Sequence, residues 1–520
     1  MIKGPFLLGI DIGGTGSKVG LFTLDGQLAG FGYSEYQMIS NVPGQAEHDA
    51  DLWWQATISS INQAIKDVAA YEILGIGVSN TNGLVPVNQY ALPIRPAIML
   101  WDQRALPEVS QIRKILDKNQ VFTITGNPIA PGAYSLPTIL WLKKHEPKNF
   151  SNTDKFMVPG GYIVAKLTDK LTIDYSRACT TLLFDIQQLE WHQPFLEMLD
   201  IPIDKLPIPF PSTSIVGEVT HQASELTGLI PGTPVVAGCT DTTGAAIGSG
   251  IVNTDELFII MGTAARVCGL LDKPNFDHRF MNFNYVLPNR WLAVGAINGV
   301  GSSLRWIRDT FGQMESRAAE ISGENVYDLL IAQAAKAPIG SKGLIYLPYL
   351  SGERTPIWDP LARGVFFGIT LAHNRDDIFR SVLEGTAFAI RQSVELLETS
   401  LGSTFQTIRI GGVASTNDIW NQIIADTLGK QVICLAQEQT EVLGAAILAG
   451  VGIGAFPDFQ TATDEIVKED RAFDPDIEAH NSYSELFSIY TELYPSIARH
   501  FEQIAELELQ QGWVSLGENK

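Results

Sequence analysis

Cysteine is scarce: four residues in 520, at positions 179, 239, 268 and 434. They lie far apart with no CxxC pair, which excludes a disulfide framework and a zinc knuckle as the basis of the fold. The eight histidines include no HExxH, so a zincin-type site is excluded as well. No stretch approaches the roughly 20 apolar residues that span a bilayer. The apolar run before Asp11 is too short for a secretory signal. Positive charge is outnumbered, 36 Lys and Arg against 57 Asp and Glu, for a net −21. So acidic a chain repels phosphate backbones and anionic lipid, and neither nucleic acid nor a membrane is expected as a partner. The expectation is a cytoplasmic globular protein whose chemistry rests on groups other than cysteine and histidine.

What the chain does have is apolar residues, 45% of the total, in an ordered pattern. Its length allows two large domains or three ordinary ones at about 150 residues each. Residues 6–10 form an apolar run, 11–16 a glycine-rich turn, and 18–24 resume β-prone residues. Asp25-Gly26 is a hairpin signal before 27–36. A helical period over 51–69 leads to an apolar strand at 73–78. Further helices are predicted near 106–119 and 135–145, and the proline-rich 201–211 is predicted to be a surface connection. Strands alternating with helices predict an α/β layered fold. After Asp255 the pattern restarts. Gly14-Thr15-Gly16-Ser17-Lys18-Val19 lies over Gly262-Thr263-Ala264-Ala265-Arg266-Val267 at a constant offset, each with a small-residue turn, a hydroxyl and a cation. This predicts two related α/β domains, 1–253 and 254–520, facing each other.

In the first turn, Gly13, Gly14 and Gly16 let the backbone bend tightly and approach a ligand with no Cβ in the way. The N–H groups, the Thr15 and Ser17 hydroxyls and the Lys18 ammonium could gather around phosphate oxygens. Asp11, at the strand end, suits Mg²⁺, held directly or through water. No GxxxxGK[ST] occurs, so this is not a P-loop, and the plain alternative is a glycine-rich hairpin. Position 259, which answers to Asp11 in the second turn, is isoleucine, so one metal held from one side is expected. Gly411-Gly412 end a strand before a helix that starts near Asn417, and such a glycine pair admits a purine or ribose. The alternative there is an ordinary strand-to-helix turn capped by Ser415, Thr416 or Asn417. Asp241 stands where an apolar strand runs into a small-residue helix. It is a carboxylate that can take the proton of an attacking hydroxyl, or else a simple helix cap. Cys239 beside it reads as a small buried residue.

The segment from Gly364-Val-Phe-Phe-Gly368 through Asp377-Ile378 to Ser381 and Glu384 resembles the C-terminal signature of the FGGY family of carbohydrate kinases. Tyr349-Leu-Ser-Gly-Glu-Arg-Thr-Pro-Ile-Trp-Asp-Pro, just before it, is similar to xylulokinases and related pentulose and polyol kinases within that family. Asp11–Lys18, Asp102 with Arg104, 132–141, Asp241, Gly262-Thr263, Gly411-Gly412 and Glu441…Leu443-Gly-Ala-Ala-Ile follow in family order, so the resemblance covers nearly the whole chain. It implies two ribonuclease-H-like (actin-like ATPase) domains with ATP and sugar in a central cleft. Asp11 and Asp241 would neighbour Mg²⁺, and Asp241 would be the general base. The turns at 13–18 and 262–263 would hold phosphates, with adenosine by Gly411, Gly412 and Asn417. Asn80, Thr81, Asn82, Asp102, Arg104 and Asp241 would orient the sugar.

Two departures bear on the substrate. Asn80-Thr-Asn-Gly83 stands where xylulokinases resemble one another in Gln-Met-His-Gly, and Thr138 stands where the family pattern has lysine. The 80–83 segment with 95–104 is also similar to L-xylulose, erythritol and gluconate kinases. The expected activity is ATP-dependent phosphorylation of a primary hydroxyl of a small sugar, first a ketopentose such as xylulose. L-Xylulose, ribulose, erythritol and gluconate are the alternative substrates. An actin-like or chaperone-like ATPase without sugar transfer is the rival reading, and a homodimer is left open as the assembly.

Overall fold

The computed structural model describes residues 2–511. The first apolar run becomes strand Phe6–Ile12, buried along its whole length. It turns at 13–15 into antiparallel strand Gly16–Thr23, setting Asp11 opposite Lys18. Gly26, at φ +86°, closes the next hairpin with its N–H 3.0 Å from Thr23 O, and strand Leu28–Glu35 forms the sheet edge. Strand Ile73–Asn80 comes back parallel to Phe6–Ile12. Beyond it lie Pro234–Val236 and Ile215–Glu218, and Cys239–Thr240 pairs with its far end.

The second sheet repeats this plan. Glu256–Met261, Ala265–Leu271 and Trp291–Ile297 run antiparallel in turn. Thr407–Gly411 then pairs parallel with the first of them and Val432–Leu435 parallel with that. With the outer strands Ile215–Glu218 of the first sheet and Met281–Asn284 and Glu469–Phe473 of the second left aside, five core strands lie in the spatial order three–two–one–four–five in both sheets, so the sequence offset reflects a topological repeat. The second turn is one residue shorter: Ile12 pairs with Ser17, whereas Met261 pairs with Ala265. Arg266 therefore lies opposite Ile260 rather than Ile259.

Two small-residue helices join the halves. In helix Thr440–Gly452, a Cβ on Gly444 would fall 1.9 Å from Gly244 O of helix Asp241–Gly248. In the other direction, a Cβ on Gly9 or Gly77 of the first sheet would fall 1.9 Å from a carbonyl oxygen of Val442 or Ala445. Only glycine allows contacts this close, and they bring a helix from the second half directly onto the first sheet.

The FGGY-like segment fastens the second half. Asn374 caps helix Arg375–Leu401, accepting from Asp376 N at 2.8 Å and Asp377 N at 3.2 Å, while Asn374 N donates to Asp377 Oδ2 at 2.8 Å. Glu384, 2% exposed, accepts from Arg380 Nε (2.7 Å), Ser341 Oγ (2.7 Å) and Tyr483 OH (2.9 Å). Tyr483 belongs to the long helix Ile477–Gln511, so one carboxylate ties three segments together.

Several predicted boundaries move. The helix predicted over 51–69 is Ala50–Ala64. The helix predicted over 106–119 is two, Leu106–Ile115 and Lys118–Thr125, because Asp117 accepts from Asn119 N and Gln120 N and starts a new one. The proline-rich connection contains strand Ile208–Phe210, paired parallel with Thr172–Asp174. No described helix is long and apolar enough to cross a membrane.

Candidate active site

The parallel register carries Asp11 opposite Ser79 and Ser79 opposite Cys239, two residues before Asp241. The strands leading to the two aspartates are thus about 10 Å apart, two strand spacings. Asp11 is 3% exposed and accepts from Ser79 Oγ at 2.7 Å. Burial, helped by the Glu441 and Asp241 carboxylates and opposed by Lys18, pushes its pKa up to about 7. Glu441 arrives on the first turn of helix Thr440–Gly452, where its carbonyl meets Ser79 Oγ at 3.4 Å.

Asp241 opens helix Asp241–Gly248 without capping it. Thr240 is the cap, accepting from Thr243 N at 3.2 Å. Asp241 Oδ1 accepts from Thr242 N (2.6 Å) and Thr242 Oγ1 (3.0 Å), while Oδ2 lies 3.7 Å from Arg266 Nη1 with 22% of the side chain exposed. The Asp241 charge raises the Arg266 pKa further. Cys239 is fully buried, and burial pushes its thiol far above the usual range, so it is no nucleophile.

The first turn is braced from below. Gly13 N–H meets Gly16 O at 3.0 Å, and Tyr36 OH donates to Gly13 O (2.5 Å) and Gly16 O (3.1 Å). Gly14 presses on Trp101, whose ring would stand 2.5 Å from a Cβ there, so the segment carrying Asp102 and Arg104 adjoins this turn. Thr15 is exposed and Lys18 half-buried on the Asp11 face. Ser17 differs from expectation. Neighbouring strand residues face opposite ways, so its buried hydroxyl meets Thr57 Oγ1 at 3.1 Å beneath the sheet and offers nothing to a phosphate.

Gly262 and Thr263 border a cavity of about 480 Å³, with Arg305, Asp328, Asn417 and Trp420 among its other walls. Asn417 does cap the helix, accepting from Ile419 N at 3.1 Å, and its Nδ2 donates to Asp328 Oδ1 at 2.9 Å. Gly411 is buried and does not line the cavity. Gly412 holds φ +90°, and a Cβ there would fall 2.4 Å from Met261 O, so glycine lets two strand ends meet beside the cavity.

The polar residues expected at the sugar side are largely engaged within the protein. Asn80 is fully buried and its Oδ1 accepts from Arg177 Nη1 at 3.1 Å, which turns it away from any cleft. Arg177 is also paired with Asp174 and bonded to Ala237 O. Thr81 is 6% exposed. Asn82 is half-buried, with Nδ2 3.4 Å from Ala133 O and Oδ1 unpartnered among the described residues. Asp102 binds Arg104 through Nε (2.9 Å) and Nη2 (2.7 Å), and also accepts from Ala46 N at 2.7 Å. Arg104 reaches Glu47 at 2.6 Å and lies 5.0 Å over the Trp141 ring.

Carboxylates, cations and small-residue turns from both halves thus meet at one place, beside a cavity on the second half. This arrangement can gather phosphates, hold a divalent cation and accept a proton. Fold and site together define a two-lobed phosphotransferase of the actin-like ATPase kind.

The N-terminal domain of the FGGY family of carbohydrate kinases matches residues 6–248 and its C-terminal domain residues 257–453. A xylulose kinase of Staphylococcus epidermidis is 31% identical over 95% of this chain and 97% of its own. A gluconokinase of Bacillus subtilis is 28% identical over 97% and 98%. The crystal structure of a xylulose kinase from Lactobacillus acidophilus superposes with a TM-score of 0.87 at 25% identity, covering 96% of this chain and 99% of that one. The chain belongs to the FGGY family of carbohydrate kinases. It is a phosphotransferase acting on a sugar, and kinases of this family take the phosphoryl group from ATP.

Glu441 and Arg266 reach the aspartates without having been singled out as site residues. Both lay inside recognisable segments, one in the Glu441…Leu443-Gly-Ala-Ala-Ile match and the other as the cation of the second turn. Sequence spacing carries no sign that Glu441 approaches Asp11 or that Arg266 faces Asp241.

Proposed function

We propose that the chain transfers the γ-phosphoryl group of ATP to a primary hydroxyl of a ketopentose such as xylulose. The observation that carries this reading is the meeting of Asp11, Lys18, Asp241 and Arg266 between the two glycine-containing turns. The sugar oxygen attacks the γ-phosphorus in line. The new O–P bond forms as the bond to the β,γ-bridging oxygen breaks, ADP leaves with that electron pair, and the hydroxyl proton passes to Asp241. Lys18 and the turn N–H groups offset charge on the group in transfer. The division of labour follows the two sheets, with the sugar and general base in 1–253 and the adenosine in 254–520. The cavity bordered by Gly262, Thr263 and Asn417 is the nucleotide's place.

Mg²⁺ fits the residues present. Among the described residues no three His, Cys, Asp or Glu side chains converge to hold a metal by themselves, but magnesium asks for only one or two carboxylates beside phosphate and water. Asp11, buried beside two other carboxylates and pushed up to about 7, is a group that a cation would keep ionised. With Asp241 it would hold the ion, which supplies charge neutralisation for the phosphates.

Asp241→Asn is expected to fold normally and lose about 10²–10⁴-fold in kcat, the usual share of a general base; wild-type turnover in that variant would refute the reading. The second substrate reading, an aldonate such as gluconate, draws on the gluconokinase relative and on Asn80–Gly83 in place of the xylulokinase segment. An ADP-release assay over ketopentoses, pentitols, tetritols and aldonates decides between them. ADP release without any sugar would instead favour a bare ATPase.

A further inference from the structure

Glu353-Arg354 belongs to no role assigned so far. Glu353 is 3% exposed, and its Oε1 accepts from Asn298 N and Arg354 N, both at 2.7 Å. Asn298 also takes the Arg354 side chain, accepting from Nε at 2.8 Å, and donates from Nδ2 to Gly352 O at 3.3 Å. The arginine is therefore gripped at its backbone and at the root of its guanidinium. Among the described residues it forms no ion pair, and neither terminal nitrogen has a hydrogen-bond partner.

Its position is set by the second sheet. Thr355 exchanges hydrogen bonds with Ala296, through Thr355 N to Ala296 O at 2.9 Å and Ala296 N to Thr355 Oγ1 at 3.1 Å. Ala296 is the cross-strand partner of Arg266, which faces Asp241. Just past Asn298, Gly301 N and Ser302 N donate to Gly262 O (3.1 Å) and Thr263 O (2.9 Å) of the second turn. Thr355, next to Arg354 in the chain, thus stands two strand spacings, about 10 Å, from Arg266, and Arg354 has Tyr134 of the first half near it. Burial and the Arg266 charge draw its pKa down. A guanidinium with free terminal donors, held near a second arginine and beside a Glu353 carboxyl that burial draws toward its neutral form, is arranged for a multiply charged anion.

We propose that Arg354 is a further catalytic residue: from the second half it directs its two terminal nitrogens at the phosphoryl group in transfer. This rests on the reading of the cleft given above. A neutral ketopentose offers no such anion, and a carboxylate substrate would meet it only at the far end from the reacting hydroxyl.

The test uses the full chain with ATP and its best sugar. Arg354→Ala is expected to lose about 10²–10³-fold in kcat with the sugar KM changed less than about threefold, the pattern of a donor engaged in the transition state. Added guanidine hydrochloride, at non-denaturing concentration, should restore part of that rate and restore none to Asp241→Asn. Should the alanine variant fail to fold by circular dichroism, Arg354→Gln carries the same kcat comparison. A kcat within about threefold of wild type, or a loss that guanidinium leaves untouched, overturns the proposal. So does an effect confined to the KM for gluconate, which would give Arg354 to a substrate carboxylate. If Asp241→Asn loses its rate while the Arg354 variants do not, this proposal fails alone; if Asp241→Asn keeps its rate, the reading of the cleft fails with it.

Discussion

At the residue scale, burial separates the two aspartates of the cleft more than position does. Asp11 sits under the sheet end with other carboxylates nearby and is drawn toward neutrality, whereas Asp241 keeps an exposed oxygen that faces Arg266. Both were legible because an acidic residue at the end of an apolar strand is unusual enough to stand out. Ser17 was not, because alternation decides which way a strand residue points, and the register that sets it depends on the turn. Asn80 was not, because its partner Arg177 lies 97 residues further on. Glu384, part of the FGGY-like segment, shows the opposite case: a recognisable residue whose work is structural. Burial raises its pKa, and Arg380 holds it back down. Glu384→Gln would leave the Arg380 charge without its buried partner, so a loss of about 3 kcal/mol of stability is expected in urea unfolding. An unchanged midpoint would mean that the three segments are not tied through this group.

At the scale of elements, the contact between helices Asp241–Gly248 and Thr440–Gly452 governs how the halves meet. Each exposes small residues to the other, and Gly444 lies so close to Gly244 that no Cβ fits between them. Small-residue helices were visible in the sequence, but nothing in it said that these two touch. Gly444→Ala must push the backbones apart, at a cost of about 1–3 kcal/mol typical of overpacking. Because Glu441 is one turn away, the sugar-kinase rate should fall along with the melting temperature. A variant with wild-type Tm and rate would show that the contact gives way freely. Helix boundaries at this scale were less legible: Asp117, read as part of a continuing helix, starts a new one by capping it.

For the whole molecule, charge and buried titration combine. A net −21 makes the surface self-repelling above the acid range. Asp11 and Glu353, both pushed up to about 7 with burial as the main cause, hold protons in the folded state that the unfolded chain releases near 4. A raised carboxylate pKa means that folding takes up protons, so the stability these groups supply is lost as pH rises toward and through 7. His48, drawn down to about 4 by burial, acts in the other direction, but only below its unfolded value of 6.5. Between pH 6.5 and 7.5 the ligand-free protein should therefore lose about 1 kcal/mol of stability, read from urea midpoints. Glu353→Gln, which mimics the protonated acid, should remove about half of that slope; a flat or rising profile would contradict the assignment.

Taken alone, the sequence determined the α/β character, the repeat of a strand–turn–strand unit at constant offset, and the membership of a sugar-kinase family. Each of these is written in local patterns: apolar periodicity, glycine turns, and short signatures whose spacing is covalent. Tertiary structure alone decided which groups share the cleft. Parallel pairing brings Asp11 to Ser79 and Ser79 to Cys239, glycine contacts deliver Glu441, and a strand register sets Arg266 opposite Ala296, which bonds the segment carrying Arg354. Such meetings depend on through-space packing between segments hundreds of residues apart, where sequence order carries no distance.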